Sequence, residues 1–238
     1  MAIAIIGYGK MGKAIEAIAI AKGHSVPLKI SSQNKEDLTI ANLQACDVAI
    51  EFTNPHAAIA NIKTCLDAGV PVVCGSTGWL EHLGEIQKHC DEKSGAFLYA
   101  SNFSIGVNIF FEVNKKLASL MASHKEYNIE VEEIHHTAKK DAPSGTAITI
   151  AEQIIENHSA KNKWVNDANA GEAELNIISK RIDPAPGTHH VRYTSAIDDI
   201  EIIHTAHNRQ GFAAGAVLAA EFIKGRKGFF SMKDVLGF

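Results

Sequence analysis

Ala2-Ile3-Ala4-Ile5-Ile6-Gly7-Tyr8-Gly9-Lys10-Met11-Gly12-Lys13-Ala14-Ile15 is the stretch whose reading decides the fold. Five apolar residues in a row read as a strand buried on both faces. The G-x-G-x-x-G run follows at once, and Met11, Ala14, Ile15 and Ile18 then recur at helical spacing until Gly23. Strand, glycine turn and helix in that order are the opening of a dinucleotide-binding βαβ unit. Gly7 permits the tight turn, Gly9 lets a pyrophosphate approach the backbone, and Gly12 lets helix and strand pack closely. Lys10 and Met11 open the helix, whose unpaired N–H groups and partial positive charge suit the same pyrophosphate. A glycine turn that binds nothing is the alternative, and it leaves the surrounding order of elements without a reason.

Reading outward, the alternation continues. Strands are expected at Val26–Ile30, Val48–Phe52, Val70–Cys74 and Ala96–Ala100, with helices at Pro55–Ala68 and Trp79–Glu92. Such a chain forms a parallel sheet with helices on both faces, and ligands collect at the carboxyl ends of its strands. Three loops stand at those ends: Phe52-Thr53-Asn54-Pro55, Gly75-Ser76-Thr77-Gly78 and Ala100-Ser101-Asn102-Phe103. Their glycines and hydroxyls suit a nicotinamide ring, although each alone also reads as an ordinary turn and helix cap. After the second strand an acidic residue would bind a ribose diol. Lys29-Ile30-Ser31-Ser32-Gln33-Asn34-Lys35 has no carboxylate before Glu36. Ser31, Ser32 and a neighbouring lysine suit a 2′-phosphate, so NADPH is favoured over NADH; a merely polar loop is the other reading.

The pattern changes after Ser101. A long helix is expected over Ile105–Met121, a strand over Tyr127–Ile134 and a helix over Thr146–Asn157. Strand-like runs follow at Leu175–Arg181, His189–Ala196 and Ile200–His207, then an alanine-rich helix at Gly211–Lys224. Asn157–Gly171 is polar, without pattern, and reads as a surface loop. Grouped strands imply a second domain with an antiparallel or mixed sheet. The fold class is therefore α/β, a Rossmann-type domain joined to an α+β domain.

Composition narrows the function. Of 238 residues 46% are hydrophobic and 21% charged, the balance of a globular protein with a real core. A net charge of −4 argues against nucleic acid or an anionic membrane as partner. No apolar run approaches the roughly 20 residues that span a bilayer, and no signal peptide is read at the N-terminus. The four cysteines, Cys46, Cys65, Cys74 and Cys90, form no C-x-x-C pair. A disulfide framework or zinc site is not expected, and a cytoplasmic location is.

The chemistry is concentrated in Glu133-Ile134-His135-His136-Thr137-Ala138-Lys139-Lys140-Asp141-Ala142-Pro143-Ser144-Gly145-Thr146-Ala147. Histidine is the side chain best suited to exchange protons near neutral pH. Lys139 can pair with a carboxylate and help polarise a reacting group, whereas Lys140 reads as a solvated charge. Ser144 is a plausible N-cap, and the helix start at Gly145 and Thr146 is a second anion cradle. His189, His190, Arg192, His204 and His207 read as solvated or hydrogen-bonded, with no metal-ligand spacing. Arg209 is a candidate contact to either ligand from the domain junction.

These residues carry a resemblance. His135-His136-x-x-Lys139-x-Asp141-Ala142-Pro143-Ser144-Gly145-Thr146-Ala147 is close to a signature of the dihydrodipicolinate reductase family. Supporting matches run in family order along nearly the whole chain: Gly7-x-Gly9-x-Met11-Gly12, Phe52-Thr53-x-Pro55, Gly75-x-Thr77-Gly78, Ala100-x-Asn102-Phe103-Ser104-x-Gly106-Val107-Asn108 and Phe212-Ala213-x-Gly215-Ala216. The resemblance implies reduction of dihydrodipicolinate or 4-hydroxy-tetrahydrodipicolinate to tetrahydrodipicolinate, on the diaminopimelate route to lysine. It implies a nucleotide domain of residues 1–103 and 210–238, and a substrate domain of residues 104–209 that builds a homotetramer through its sheet. It implies His135 as the acid and Lys139 as its catalytic partner. His136, Lys139, Ser144, Gly145 and Thr146 would hold the carboxylates of a small cyclic dicarboxylate. Gly75, Thr77, Ala100 and Phe103 would line the nicotinamide pocket. The chain departs from many members in a glycine loop one residue shorter, in lacking the acidic residue that several carry after the second strand, and in being shorter around Ser31–Cys46, so nucleotide preference is not carried over. A dehydrogenase acting on aspartate or homoserine, or a non-catalytic NADPH sensor, are the rival readings. Neither would need the His-His…Lys…Ser-Gly-Thr run.

Overall fold

The computed structural model describes residues 1–167, 170–208 and 210–238. In chain order the elements begin with β1 (Ala2–Ile6), α1 (Lys10–Ala21), β2 (Ser25–Ile30), α2 (Ile40–Leu43), β3 (Val48–Glu51), α3 (Pro55–Asp67), β4 (Val72–Cys74), α4 (Leu83–Glu92) and β5 (Ala96–Tyr99). They continue with α5 (Ile105–Met121), β6 (Asn128–His135), α6 (Gly145–Asn157), β7 (Lys163–Val165), β8 (Glu174–Arg181), β9 (Gly187–Thr194) and β10 (Asp199–Ala206). The chain closes with α7 (Gln210–Ile223), β11 (Gly228–Phe230) and α8 (Met232–Leu236). These elements form two compact units, Met1–Ile105 with Arg209–Phe238, and Gly106–Asn208.

The first unit is a six-stranded parallel sheet in the order β11-β5-β4-β3-β1-β2. The order reverses at β1, which places the glycine loop at the switch point of the sheet. Strand β1 is apolar throughout because both its faces are covered. Ile3 and Ile5 join a cluster with Ile15 of α1 and Val217 of α7, while Ala4 and Ile6 join Ile62 and Leu66 of α3 on the other face. The glycine motif is required by contact as well as by conformation. Gly7 has φ +101°, and a Cβ there would overlap the Phe52 carbonyl; one at Gly12 would lie 2.5 Å from the Gly7 carbonyl oxygen. Helix α7 lies against the sheet through Ala213, Ala216, Ala219 and Ala220, all buried. Small residues there set a short helix-to-backbone distance, and a Cβ on Gly215 would overlap the Phe103 carbonyl.

The second unit is a mixed five-stranded sheet in the order β10-β9-β6-β8-β7. Strand β9 is antiparallel to β6 and β10, while β8 is parallel to β6 and β7. One face buries Ile129, Val131, Leu175, Ile177, Val191 and Tyr193 with apolar residues of α5 and α6. The opposite face carries ion pairs, Lys180–Glu132 and His190–Glu201 with Arg192–Glu201, beside Ile203, which is 53% exposed.

Several expectations require correction. Asn157–Gly171 is not wholly loop: Lys163–Val165 forms β7 and pairs with β8. Three residues carry too little pattern to reveal a strand that exists by pairing. The helix expected from Trp79 begins at Leu83; Trp79 is instead buried, its indole N–H donating to the Ser76 carbonyl at 2.7 Å. Strand β9 begins at Gly187, two residues before the expected start. Pro27 is tolerated in β2 because that strand is the sheet edge. Arg209 lies outside the described residues. Among the described residues no helix is long and apolar enough to cross a membrane.

The two kinds of glycine separate cleanly by substitution. Gly215→Ala should destabilise the protein by at least about 1–3 kcal/mol through overpacking. Gly84→Ala, in a helix with nothing within 4 Å of the added methyl, should be neutral or stabilise by about 0.5 kcal/mol. Urea denaturation of both variants checks the contrast, and equal midpoints would contradict it.

Candidate active site

Each unit builds a site at the carboxyl end of its central strands. In the first unit a cavity of about 380 Å³ is lined by Gly7, Gly9, Ser31, Ser32, Lys35 and Thr53, among others. A Cβ on Gly9 would meet nothing within 4 Å, so the backbone is open to a ligand there. A second cavity of about 400 Å³ is lined by Met11, Phe52, Thr53, Gly75, Ser76 and Thr77. Phe52 and Thr53 border both. Lys10 is exposed at the start of α1, and Gly12 is buried. Ala100 and Phe103 belong to the core and line neither cavity. Phe103 acts on the site indirectly, its ring 5.5 Å from that of Phe52, and Gly75 makes room for the same Phe52 ring.

The lysines near the second strand divide. Lys29 donates to Glu16 at 2.9 Å and lies over the Tyr8 ring, and Tyr8 in turn donates to Glu16. Lys35 lines the cavity, and no carboxylate is among its lining residues. The Ser31 hydroxyl donates to Asn34 Oδ1 at 2.9 Å, and Asn34 Nδ2 closes the turn on the Lys29 carbonyl. The sequence reading missed Glu51. This carboxylate is fully buried at the end of β3 and accepts from the Thr53 N–H at 3.1 Å, Asn61 at 3.3 Å, the Cys74 thiol at 3.2 Å and the Thr53 hydroxyl. It holds the Phe52-Thr53 loop in place. Burial and the Glu51 carboxylate push the Cys74 thiol well above its ordinary pKa, which keeps it unreactive.

In the second unit strand periodicity decides the site. Ile129, Val131, Glu133 and His135 point to one face of β6. The first two meet the core, and the last two carry that face into a buried polar cluster. Glu133 is fully buried. The Ser144 N–H lies 3.1 Å from both its oxygens, Arg181 Nη2 is 3.3 Å from Oε1, and His135 Nδ1 is 3.3 Å from Oε2. The His135 contact is within ion-pair reach but off the line of a hydrogen bond. Arg181 also donates to the Asp141 carbonyl at 2.6 Å. Ser144 caps α6 as its side chain accepts from the Ala147 N–H. Burial would raise the Glu133 pKa, but contacts from His135, Ser144 and Ser179 outweigh it and hold the group well below the usual carboxylate range.

His189, read from sequence as solvated or hydrogen-bonded, is 5% exposed and faces Glu133 in the antiparallel register. Its ring centre is 5.2 Å from that of His135, and its Nε2 is 3.4 Å from Ser144 Oγ. Burial, with His135 alongside, pushes its pKa down to about 3. Glu133, His135 and His189 offer donor atoms within 4.8 Å of one another, but Arg181 already stands where a cation would neutralise the carboxylate. Lys139 donates to both oxygens of Asp141, at 2.8 and 2.7 Å. His136 and Thr146 are half-buried, Gly145 and Lys140 exposed. His190 and Arg192 pair with Glu201, and His204 lies edge-on to Phe110. Glu133 and Arg181 were given no role in the sequence reading, and His189 none beyond that of a solvated or hydrogen-bonded ring. The available signal was parity: Glu133 is two residues from His135 on a strand and must share its face.

Histidine burial has a measurable consequence. The folded chain keeps His189 neutral down to about pH 3, whereas the ordinary value is 6.5. As pH falls through 6.5 the unfolded chain binds the proton that the folded chain refuses, so stability falls; above 6.5 the contribution is complete. His189→Gln should reduce the loss of unfolding free energy between about pH 7.5 and 5 by about 2 kcal/mol. Urea titrations at the two pH values measure it, and an unchanged loss would show that His189 titrates normally.

Residues 1–103 match the family model described as dihydrodipicolinate reductase, N-terminus, and residues 106–236 match its C-terminus. The 4-hydroxy-tetrahydrodipicolinate reductase of Christiangramia forsetii is 49% identical over 237 residues, covering 99% of this chain and 98% of the relative. That of Methanocaldococcus jannaschii is 36% identical over 240 residues, covering 98% and 81%. A solved dipicolinate-bound dihydrodipicolinate reductase from a Paenisporosarcina species shares the fold, with a TM-score of 0.75 at 22% identity over 98% of both chains. With both halves matched in order and a near-full-length relative at 49% identity, the chain belongs to the dihydrodipicolinate reductase family, oxidoreductases of diaminopimelate and lysine biosynthesis.

Proposed function

We propose that the chain uses a reduced nicotinamide nucleotide to reduce 4-hydroxy-tetrahydrodipicolinate, or its dehydrated form, with His135 as the proton donor. One observation carries this reading: His135 and the N-terminal amide of α6 meet on a single buried carboxylate, Glu133. A proton donor is thereby tied to an anion-binding helix start.

The residues of the first unit fit such a nucleotide. Gly9 leaves the backbone clear for a pyrophosphate, and Thr53, Gly75 and Thr77 line the second cavity, which would suit a nicotinamide. When bound, the nucleotide supplies hydride. NADPH is the preferred form in this reading, supported by Ser32 and Lys35 at the cavity and by the lack of a lining carboxylate.

The chain's own residues do the rest. His136, Lys139, Ser144, Gly145 and Thr146 hold the substrate carboxylates. Lys139 is engaged by the largely exposed Asp141 carboxylate, so a substrate carboxylate would take over a contact that the chain already makes internally. The substrate ring gains an electron pair on reduction, and His135 delivers the proton that neutralises it. A positioned acid contributes about 10²–10⁴-fold in rate. Fixing the ring by its two carboxylates supplies the orientation that makes the transfer effectively unimolecular.

The working protein in this reading is a cytoplasmic homotetramer assembled through the second sheet. Support comes from four free, buried cysteines and from the open sheet face with Ile203 half-exposed. Sedimentation equilibrium should give the mass of four 25.6 kDa chains; a monomer would remove the assembly.

Steady-state kinetics with a dihydrodipicolinate-forming system test the chemistry. His135→Gln should lower kcat by about 10²–10⁴-fold while the Kd for NADPH survives. Lys139→Ala should impair kcat and KM together. Near-normal kcat in His135→Gln would sink the acid assignment. Equal KM values for NADPH and NADH would remove the nucleotide preference.

A further inference from the structure

We infer that Glu133 is the positioning residue for His135, and that its buried carboxylate couples the proton donor to the anion cradle at Ser144. The inference rests on the reading of His135 as the acid.

Three observations support it. First, Glu133 is placed by the strand itself. It shares the buried face of β6 with His135, two residues away, so no loop motion separates them. Second, its oxygens are divided: Oε2 faces His135 Nδ1 at 3.3 Å, Oε1 faces Arg181 at 3.3 Å, and the Ser144 N–H spans both at 3.1 Å. A carboxylate within ion-pair reach of Nδ1 stabilises the imidazolium form of a histidine. Third, the other edge of the ring meets a glycine and not a side chain. Gly187 lies there, where a Cβ would come within 3.1 Å of His135 Nε2. The acid therefore has one edge fixed by charge and the other kept free of side-chain bulk.

The charged and titratable groups that face this pair come from four elements. Glu133 lies on β6, Arg181 on β8 and His189 on β9, and Lys139 with Asp141 lies on the loop that leads to α6. Helix α6 adds the amide and hydroxyl of its cap, Ser144. His189 is held neutral by burial. Arg181 divides its guanidinium between Glu133, the Lys180 carbonyl and the Asp141 carbonyl. Glu133 is thus the negative charge in direct reach of the ring. An anchor for Ser144 alone would not need that geometry.

The test is a pH profile of kcat/KM across the neutral and alkaline range. Glu133→Gln keeps the shape and removes the charge. Its alkaline limb should move toward acid by about 1–2 pH units, with kcat at pH 8 down about 10–100-fold. Glu133→Asp keeps the charge on a shorter arm, so kcat should fall while the limb stays near its wild-type position. In a His135→Gln background Glu133→Gln should add less than about 2-fold to the loss in kcat, because it acts through the missing ring. If Glu133→Gln lacks a cooperative melt, Glu133→Gln/Arg181→Met removes both the buried carboxylate and its guanidinium partner and should move the limb in the same direction. An unmoved limb, or a rise in KM alone, would overturn the inference and leave Glu133 as an anchor of the cradle. Normal kcat in His135→Gln would overturn the acid reading itself, which distinguishes the two failures.

Discussion

A carboxylate with no solvent exposure must find its hydration shell inside the protein, and the second unit is arranged around that requirement. Leaving such a charge unmatched costs several kcal/mol. Glu133 is matched from three directions: its own strand brings His135, β8 brings Arg181, and the cap of α6 brings the Ser144 amide. Each partner is also a component of the site. The condition for burying the charge and the condition for placing His135 beside the start of α6 are therefore the same condition. His189 completes the enclosure as an uncharged ring against both His135 and Ser144.

The first unit repeats the device with different chemistry. Glu51 ends β3 as Glu133 nears the end of β6, and each accepts the backbone N–H of the loop that follows, at Thr53 and Ser144. Loops with function sit on rigid strands, and here a buried carboxylate is the rivet in both cases. The partners differ: Glu51 is satisfied by neutral donors, Thr53, Asn61 and the Cys74 thiol, whereas Glu133 has a guanidinium and a histidine. The first arrangement suits a loop that shapes a cavity, the second a group that works with protons.

The parallel sheet was legible because its periodicities are local. Ala2–Ile6 is apolar at every position, Gly7, Gly9 and Gly12 have distinct steric duties, and Asn54-Pro55 and Gly69 mark the ends of α3. The short pieces were not legible. Lys163–Val165 and Gly228–Phe230 become strands only because β8 and β5 offer them open edges. Trp79 has the composition of a helix start, yet its indole is drawn into the core by Phe97 and Tyr99. Ala100 and Phe103, in the loop after β5, join the core cluster that includes Phe52, a packing that sequence does not reveal.

The sequence by itself determined the class of fold and the family, and it singled out the two glycine- and serine-bearing helix starts with His135 and Lys139 as candidates, because each depends on residue type and spacing within one element. Tertiary structure alone decided which charges answer one another. It set Arg181 and His189, 46 and 54 residues beyond His135 in the chain, against Glu133 through pairing with β8 and β9. It turned Lys29 to Glu16 and left Lys35 at the cavity. Electrostatic partnership falls with distance in space, not along the chain, so it becomes readable only when the sheet register is known.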